Sequence, residues 1–129
     1  MPRVTEGCIF CKPQREILAE NELAIATPDT YPVSPGHSLI LPRRHARTIW
    51  DLSAEEYAAC FALARALKPL LEARYNPDGF NVGANCDEAG GQSVWHAHIH
   101  VIPRYKGDVP NPRGGVRNVI PHKAQYVRK

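Results

Sequence analysis

No run of apolar residues in this 129-residue chain approaches the roughly 18 that a membrane-spanning helix needs. The opening stretch MPRVTEGCIF has no long apolar region, so no secretory leader is expected. Without an oxidising compartment, the four cysteines (Cys8, Cys11, Cys60, Cys86) are not read as a disulfide framework. Charge of one sign is also scarce: sixteen Lys and Arg against thirteen Asp and Glu leave +3. That excess lacks the concentrated basic stripe of a nucleic-acid binder, and it suits a small anionic ligand. There are no internal repeats and no low-complexity segment. The expectation is a cytoplasmic protein with no nucleic-acid or membrane partner, folded as one domain over residues 1–129.

Twelve prolines and nine glycines punctuate the chain, mostly at 28–36, 76–79, 88–91 and 103–121. Residues 16–20 and 23–27 read as a hairpin around Asn21-Glu22. Residues 28–36 hold three prolines and read as a loop. His37 to Leu41 is a strand closed by Pro42. Ser53-Ala54-Glu55-Glu56 is a capping box, which opens a helix from about 54 to 74. Its expected inner face is Tyr57, Phe61, Ala64, Leu67 and Leu71, with Pro69 expected to kink it or split its last turn. Residues 80–85 and 92–102 read as strands, the second ended by Pro103. Residues 104–129 show no hydrophobic period and form an arm with little regular structure. Cys60 falls in an Ala/Leu-rich stretch and reads as a small buried hydrophobe. Five strands and one main helix make an α+β fold with an antiparallel sheet, its core over 8–103.

The informative segment is Trp95-His96-Ala97-His98-Ile99-His100-Val101-Ile102. On a strand, alternate side chains share a face, so His96, His98 and His100 line one side. Ala97, Ile99 and Val101 then pack on the other. On a helix His98 would point roughly 200° from His96 and the cluster would scatter. Three imidazoles side by side repel when protonated, and such clusters of titratable groups mark functional sites. A plain surface strand, a metal site and nucleophilic catalysis all use histidine in this way.

The pattern resembles that of the histidine triad (HIT) family of nucleotide hydrolases and transferases. Three more segments carry the resemblance. They are Pro35-Gly36-His37-Ser38-Leu39-Ile40-Leu41-Pro42, the approach Asn85 with Ala89-Gly90-Gly91-Gln92-Ser93-Val94, and Arg104-Tyr105-Lys106-Gly107-Asp108. It spans about residues 8 to 122. The resemblance implies a HIT-like fold and a homodimer. It implies action at the α-phosphate of a purine nucleotide conjugate: a dinucleoside polyphosphate, a phosphoramidate or an acyl adenylate, with an AMP-type product; the alternative is a non-catalytic nucleotide-binding or interaction module of the same family. His98 is the implied nucleophile, forming a nucleotidyl-imidazole. His100 and His37 stand beside the phosphate. Gln92, Ser93 and Asn85 contact the phosphate or leaving group, and Asp29 holds the ribose hydroxyls. His100 occupies a position where the galactose-1-phosphate uridylyltransferase branch carries glutamine, which sets this chain apart from hexose transfer.

Cys8-x2-Cys11 has ligand spacing but is only half a site. It lacks the βαβ context of a redox motif. The same resemblance supplies the other half, His45 in Pro42-Arg43-Arg44-His45 and the first triad histidine, His96. That set would hold structural Zn²⁺ in a closed Cys2His2 site, with no metal required for the chemistry itself. Cys86 and His122 receive no role.

Overall fold

The computed structural model describes residues 7–12 and 15–126. Among the described residues, five strands form one antiparallel sheet: β1 (Ala19–Glu20), β2 (Ala24–Pro28), β3 (Ser38–Pro42), β4 (Gly79–Gly83) and β5 (Ile99–Arg104). Their order across the sheet is β1-β2-β3-β5-β4, so β5 inserts between β3 and β4. One long helix, α1 (Ala54–Tyr75), joins β3 to β4 and covers one face. No helix among the described residues is long and apolar enough to cross a membrane.

The core between helix and sheet contains Cys60, Leu63, Leu67 and Leu71 from α1 against Ala24, Ala26, Ile40, Ala97, Ile99 and Val101. The expected inner face of the helix is therefore rotated. Leu67 and Leu71 point inward as read, and Tyr57 and Ala64 flank the core, but Phe61 is 49% exposed. The helix carries two adjacent apolar stripes, and the small Cys60 fits against the sheet where an aromatic ring would overpack. Pro69 does not split the helix, which runs unbroken to Tyr75. Buried Leu67 and Leu71 on either side hold the last turns in place. Asn76 then ends them in the left-handed region with its N–H on Glu72 O.

The strand read over 92–102 is the main departure. Regular pairing begins only at Ile99, and it passes through Pro103 to Arg104. Pro103 sits opposite Phe80, beyond the last β3 partner of β5, so a missing N–H breaks no ladder on that side. Between Gln92 and His98 the chain runs irregularly, tied by Ala97 N–H to Ala46 O at 2.7 Å and by side chains discussed below. After β5, Arg104 grips Asp108 with two hydrogen bonds (2.7 and 2.8 Å) and Asn81 Oδ1 with a third (2.6 Å). The Arg-Tyr-Lys-Gly-Asp segment is thus a closed turn. The described part of the arm beyond it forms two short 3₁₀ turns, 115–119 and 121–123.

The expected capping box is present: Ser53 Oγ accepts from Glu56 N–H, and Glu56 Oε1 accepts from Ser53 N–H at 2.8 Å. Glu56 has a second partner that the sequence pattern does not show. Arg44 reaches it in a fork (Nε to Oε2 3.0 Å, Nη2 to Oε1 2.8 Å) and also donates to Asp51 O. The arginine holds the Glu56 carboxyl below the usual range, outweighing its burial. One carboxylate thus starts the helix and fastens the segment that carries His45. Glu56→Ala should lower unfolding stability by about 2 kcal/mol, since it loses both a cap and a charge-assisted pair whose arginine is part-exposed. Glu56→Gln should lose about half as much. Urea melts of the three proteins check this, and equal stability of wild type and Glu56→Ala would refute it.

Candidate functional site

The face of the sheet away from α1 carries the histidines. Ile99 and Val101 point into the core, and His100 takes the opposite face, as strand alternation requires. His98 lies beside it, ring centroids 5.1 Å apart. Phe10 closes the other side of His98 with an edge-on contact at 4.9 Å and packs with Leu39 and Leu41. His96, His98 and Ala97 are all buried, so His98 stands at the base of the site.

Backbone partners assign the proton on each ring. His98 Nδ1 lies 2.8 Å from the carbonyl oxygen of His96. A carbonyl only accepts, so Nδ1 carries the hydrogen and Nε2 keeps its lone pair. His96 does the reverse: its Nε2–H donates to Pro42 O at 3.0 Å, and the Nδ1 lone pair is left for another use. Burial pushes His96, His98 and His37 below the ordinary histidine range. Burial, with His98 and His37 nearby, pushes His100 down to about 4. The cluster is neutral near pH 7.

The free His96 Nδ1 faces the two N-terminal cysteines, 3.6 Å from Cys8 Sγ and 3.5 Å from Cys11 Sγ. His45 Nδ1 is 3.3 Å from Cys11 Sγ. All four ligand atoms lie within 4.8 Å of one another. Bonds of about 2.3 Å to sulfur and about 2.0–2.1 Å to nitrogen at tetrahedral angles place S and N about 3.6 Å apart. The donor set therefore fits a tetrahedral ion, and Cys8, Cys11, His45 and His96 could hold a metal. The His96–Pro42 hydrogen bond is the outer contact that orients such a ligand.

A second group contains Asp29, His37 and His100. His37 Nε2 is 2.9 Å from His100 Nδ1 and 3.3 Å from Asp29 Oδ2. The turn between β2 and β3 makes the approach possible. Asp29 N–H donates to His37 O, and Gly36 adopts φ +89° where a Cβ would sit 2.8 Å from the Tyr75 ring. Asp29 also lines a cavity of about 390 Å³ with Lys12, Arg15, Thr27 and Thr30. Two of those residues hold buried polar atoms with no hydrogen-bond partner among the described residues, Arg15 Nε and Thr27 Oγ1.

The remaining sequence candidates separate. Ser93 and Asn85 are exposed, and Asn85 Cγ is 4.0 Å from a Cβ built on Gly91. Gln92 is buried, with both amide hydrogens and one acceptor site of its oxygen in use. Its Nε2 donates to Arg47 O (2.6 Å) and Val94 O (3.0 Å), and its Oε1 accepts from Asp87 N–H. It clamps the loop that presents Ser93. The sequence reading gave no site role to Phe10, Arg15, Thr27 or Val33. Phe10 stands between the two cysteines, a position that signals it. Val33 contributes only a backbone N–H, for which no residue pattern exists.

Burial of neutral imidazoles makes stability depend on pH. Below its ordinary value of 6.5 His100 takes up a proton in the unfolded chain but not in the folded one, down to about pH 4. Stability therefore falls on acidification through this window, by on the order of 3 kcal/mol for His100. Urea midpoints between pH 7 and pH 4 should show a shallower slope for His100→Gln than for wild type. Identical slopes would refute the assignment.

Residues 12–107 match the model of the HIT domain. The chain is 37% identical over 98 residues to bis(5'-adenosyl)-triphosphatase of Dictyostelium discoideum, covering 76% of this chain and 66% of that protein. It is 36% identical over 93 residues to AP-4-A phosphorylase of Mycobacterium tuberculosis, covering 71% of this chain but 48% of the relative, about half its length. Among solved structures it resembles a Zn-bound histidine triad family protein from Mycobacterium smegmatis, with TM-score 0.73 and 28% identity. That match covers 81% of this chain and 80% of the other. A sheet that gathers the spaced histidines on one face, and a family match over most of its length, place this chain in the HIT family.

Proposed function

We propose that the protein is a nucleotidyl hydrolase or transferase that attacks the α-phosphate of a nucleotide conjugate with His98. The observation that carries this reading is the 2.8 Å contact between His98 Nδ1 and His96 O. It commits the proton to one nitrogen and leaves the other as a buried, neutral nucleophile. Attack by Nε2 on phosphorus expels the leaving group and gives a nucleotidyl-imidazole, which water or another acceptor then cleaves. His100 and His37 stand beside the phosphate, and His100 donates to its oxygens as charge develops, with His37 held behind it. Gln92, Ser93 and Asn85 face the phosphate or the leaving group, with Gln92 also bracing the loop that carries Ser93. The Asp29 carboxylate accepts from the ribose hydroxyls, and the adjoining cavity receives the base.

The substrate class is a purine nucleotide joined through phosphoanhydride or phosphoramidate: a dinucleoside polyphosphate, a phosphoramidate or an acyl adenylate. The names of the triphosphatase and phosphorylase relatives support this class and leave the acceptor open between water and phosphate. The working form is a homodimer in the cytoplasm, with residues 1–129 acting as one domain. Cys8, Cys11, His45 and His96 hold Zn²⁺, which is structural because four protein ligands leave no open position. Their role is to anchor the segment that bears His98.

His98→Ala should reduce turnover by on the order of 10⁴-fold while nucleotide binding persists. Intact-mass analysis after rapid mixing with substrate should show one added nucleotidyl group on wild type and none on His98→Ala. Inversion at a chiral α-phosphorothioate would refute the two-step route, which requires overall retention.

The metal assignment has its own measurement. Purified protein should contain about one equivalent of zinc. Cys8→Ser should lower thermal stability more than it lowers turnover by the folded fraction. Metal-free protein with no thermal shift on adding chelator would refute it.

A further inference from the structure

Asp29, His37 and His100 bring one carboxylate oxygen and two imidazole nitrogens together at 2.9, 3.3 and 4.0 Å. Two histidines and a carboxylate are also the donor set of a metal site with open positions. A backbone amide decides between the two readings. Val33 N–H donates to His37 Nδ1 at 3.1 Å. A neutral imidazole carries one hydrogen, so an accepting Nδ1 places that hydrogen on Nε2. Nε2 is the atom that faces Asp29 and His100, and as an N–H it has no lone pair for a metal. Metal-bound histidines show the opposite order, with the far nitrogen donating.

The hydrogen on His37 then determines His100. His37 Nε2–H points at His100 Nδ1, which must accept, so His100 keeps its own hydrogen on Nε2. Nε2–H is the one donor His100 can offer a ligand. Asp29 steadies the arrangement from the side. Its Oδ1 is held by Tyr31 N–H at 2.8 Å, which aims Oδ2 at His37 Nε2. The chain ends at the Val33 amide, which cannot release its proton. It therefore orients and does not conduct.

We infer that Asp29 is a positioning residue that acts through His37: together with Val33 N–H it locks His37 in the Nε2–H tautomer, and His37 locks His100 as an Nε2–H donor toward the bound phosphate. The last clause rests on the α-phosphate chemistry proposed above, and the tautomers do not. Asp29 thus serves the reacting phosphate as well as the ribose.

Two measurements on the full, metal-loaded chain test this. The first is two-bond ¹H–¹⁵N correlation of the imidazoles. Wild type should show His37 and His100 each as a single Nε2–H form, and Asp29→Asn should show mixtures. A wild-type His37 protonated on Nδ1, or unchanged signatures in Asp29→Asn, overturns the inference. The second is turnover of matched ribose and 2′,3′-dideoxyribose substrates. Asp29→Asn should lower kcat on the order of tenfold for both sugars alike. A loss seen only with ribose, and only in KM, makes Asp29 a sugar contact alone and overturns the inference. A second equivalent of Zn²⁺ that disappears in His37→Ala also overturns it. Correct tautomers in a protein without nucleotidyl activity would instead sink the proposed function and leave the positioning role standing.

Discussion

Two backbone carbonyls determine what the buried histidines are. Pro42 O takes the Nε2 hydrogen of His96, and His96 O takes the Nδ1 hydrogen of His98. Adjacent members of one spaced set thereby acquire opposite tautomers. One turns its lone pair toward two thiols, and the other is left with a free Nε2. The side chains are the same, and the distinction comes from where the backbone ends of β3 and the approach to β5 lie. That relation depends on Ala97 N–H pairing with Ala46 O, and on Glu56 and Arg44 fastening the segment between them to the helix.

The same logic extends across the sheet. His37 and His100 meet because β3 and β5 are neighbours, with Leu39 opposite His100 in the register. Asp29 meets both because the turn from β2 folds back on His37. Every histidine in this face has at least one ring nitrogen tied to a defined partner. Low dielectric and close packing keep the rings neutral, so the site presents hydrogen-bond donors and one lone pair in place of a block of positive charge.

Much of this was legible in the residues. The alternation from His96 to Val101 correctly separated histidines from core residues, and Ser53 with Glu56 gave the start of the helix. The C-x-x-C, His45 and His96 are brought together as the resemblance implied. Other features were not legible, for identifiable reasons. The strand reading over 92–102 failed at its first half because side chains of Gln92, His96 and His98 take over hydrogen bonding that a ladder would supply. Phe61 was placed inside because two apolar stripes compete on one helix, and only packing against the sheet selects between them. The partners of Gln92 were not legible either, because a residue pattern does not show which loop carbonyls its amide reaches. The tautomer lock on His37 comes from a main-chain N–H, which any residue but proline could provide.

The contact between Cys8 and His96 spans 88 positions. It joins nearly the first described residue to the segment that precedes the last strand. Ends so far apart meet only after most of the intervening chain has condensed, because closing a long loop costs entropy before any contact rewards it. Phe10, held in the same segment as Cys8, rests on Leu39 and Leu41 of β3 and on the ring of His98. One wall of the His98 pocket therefore exists only where residues from the start of the chain, β3 and the approach to β5 are together, so the pocket is a property of the whole fold and of no single segment.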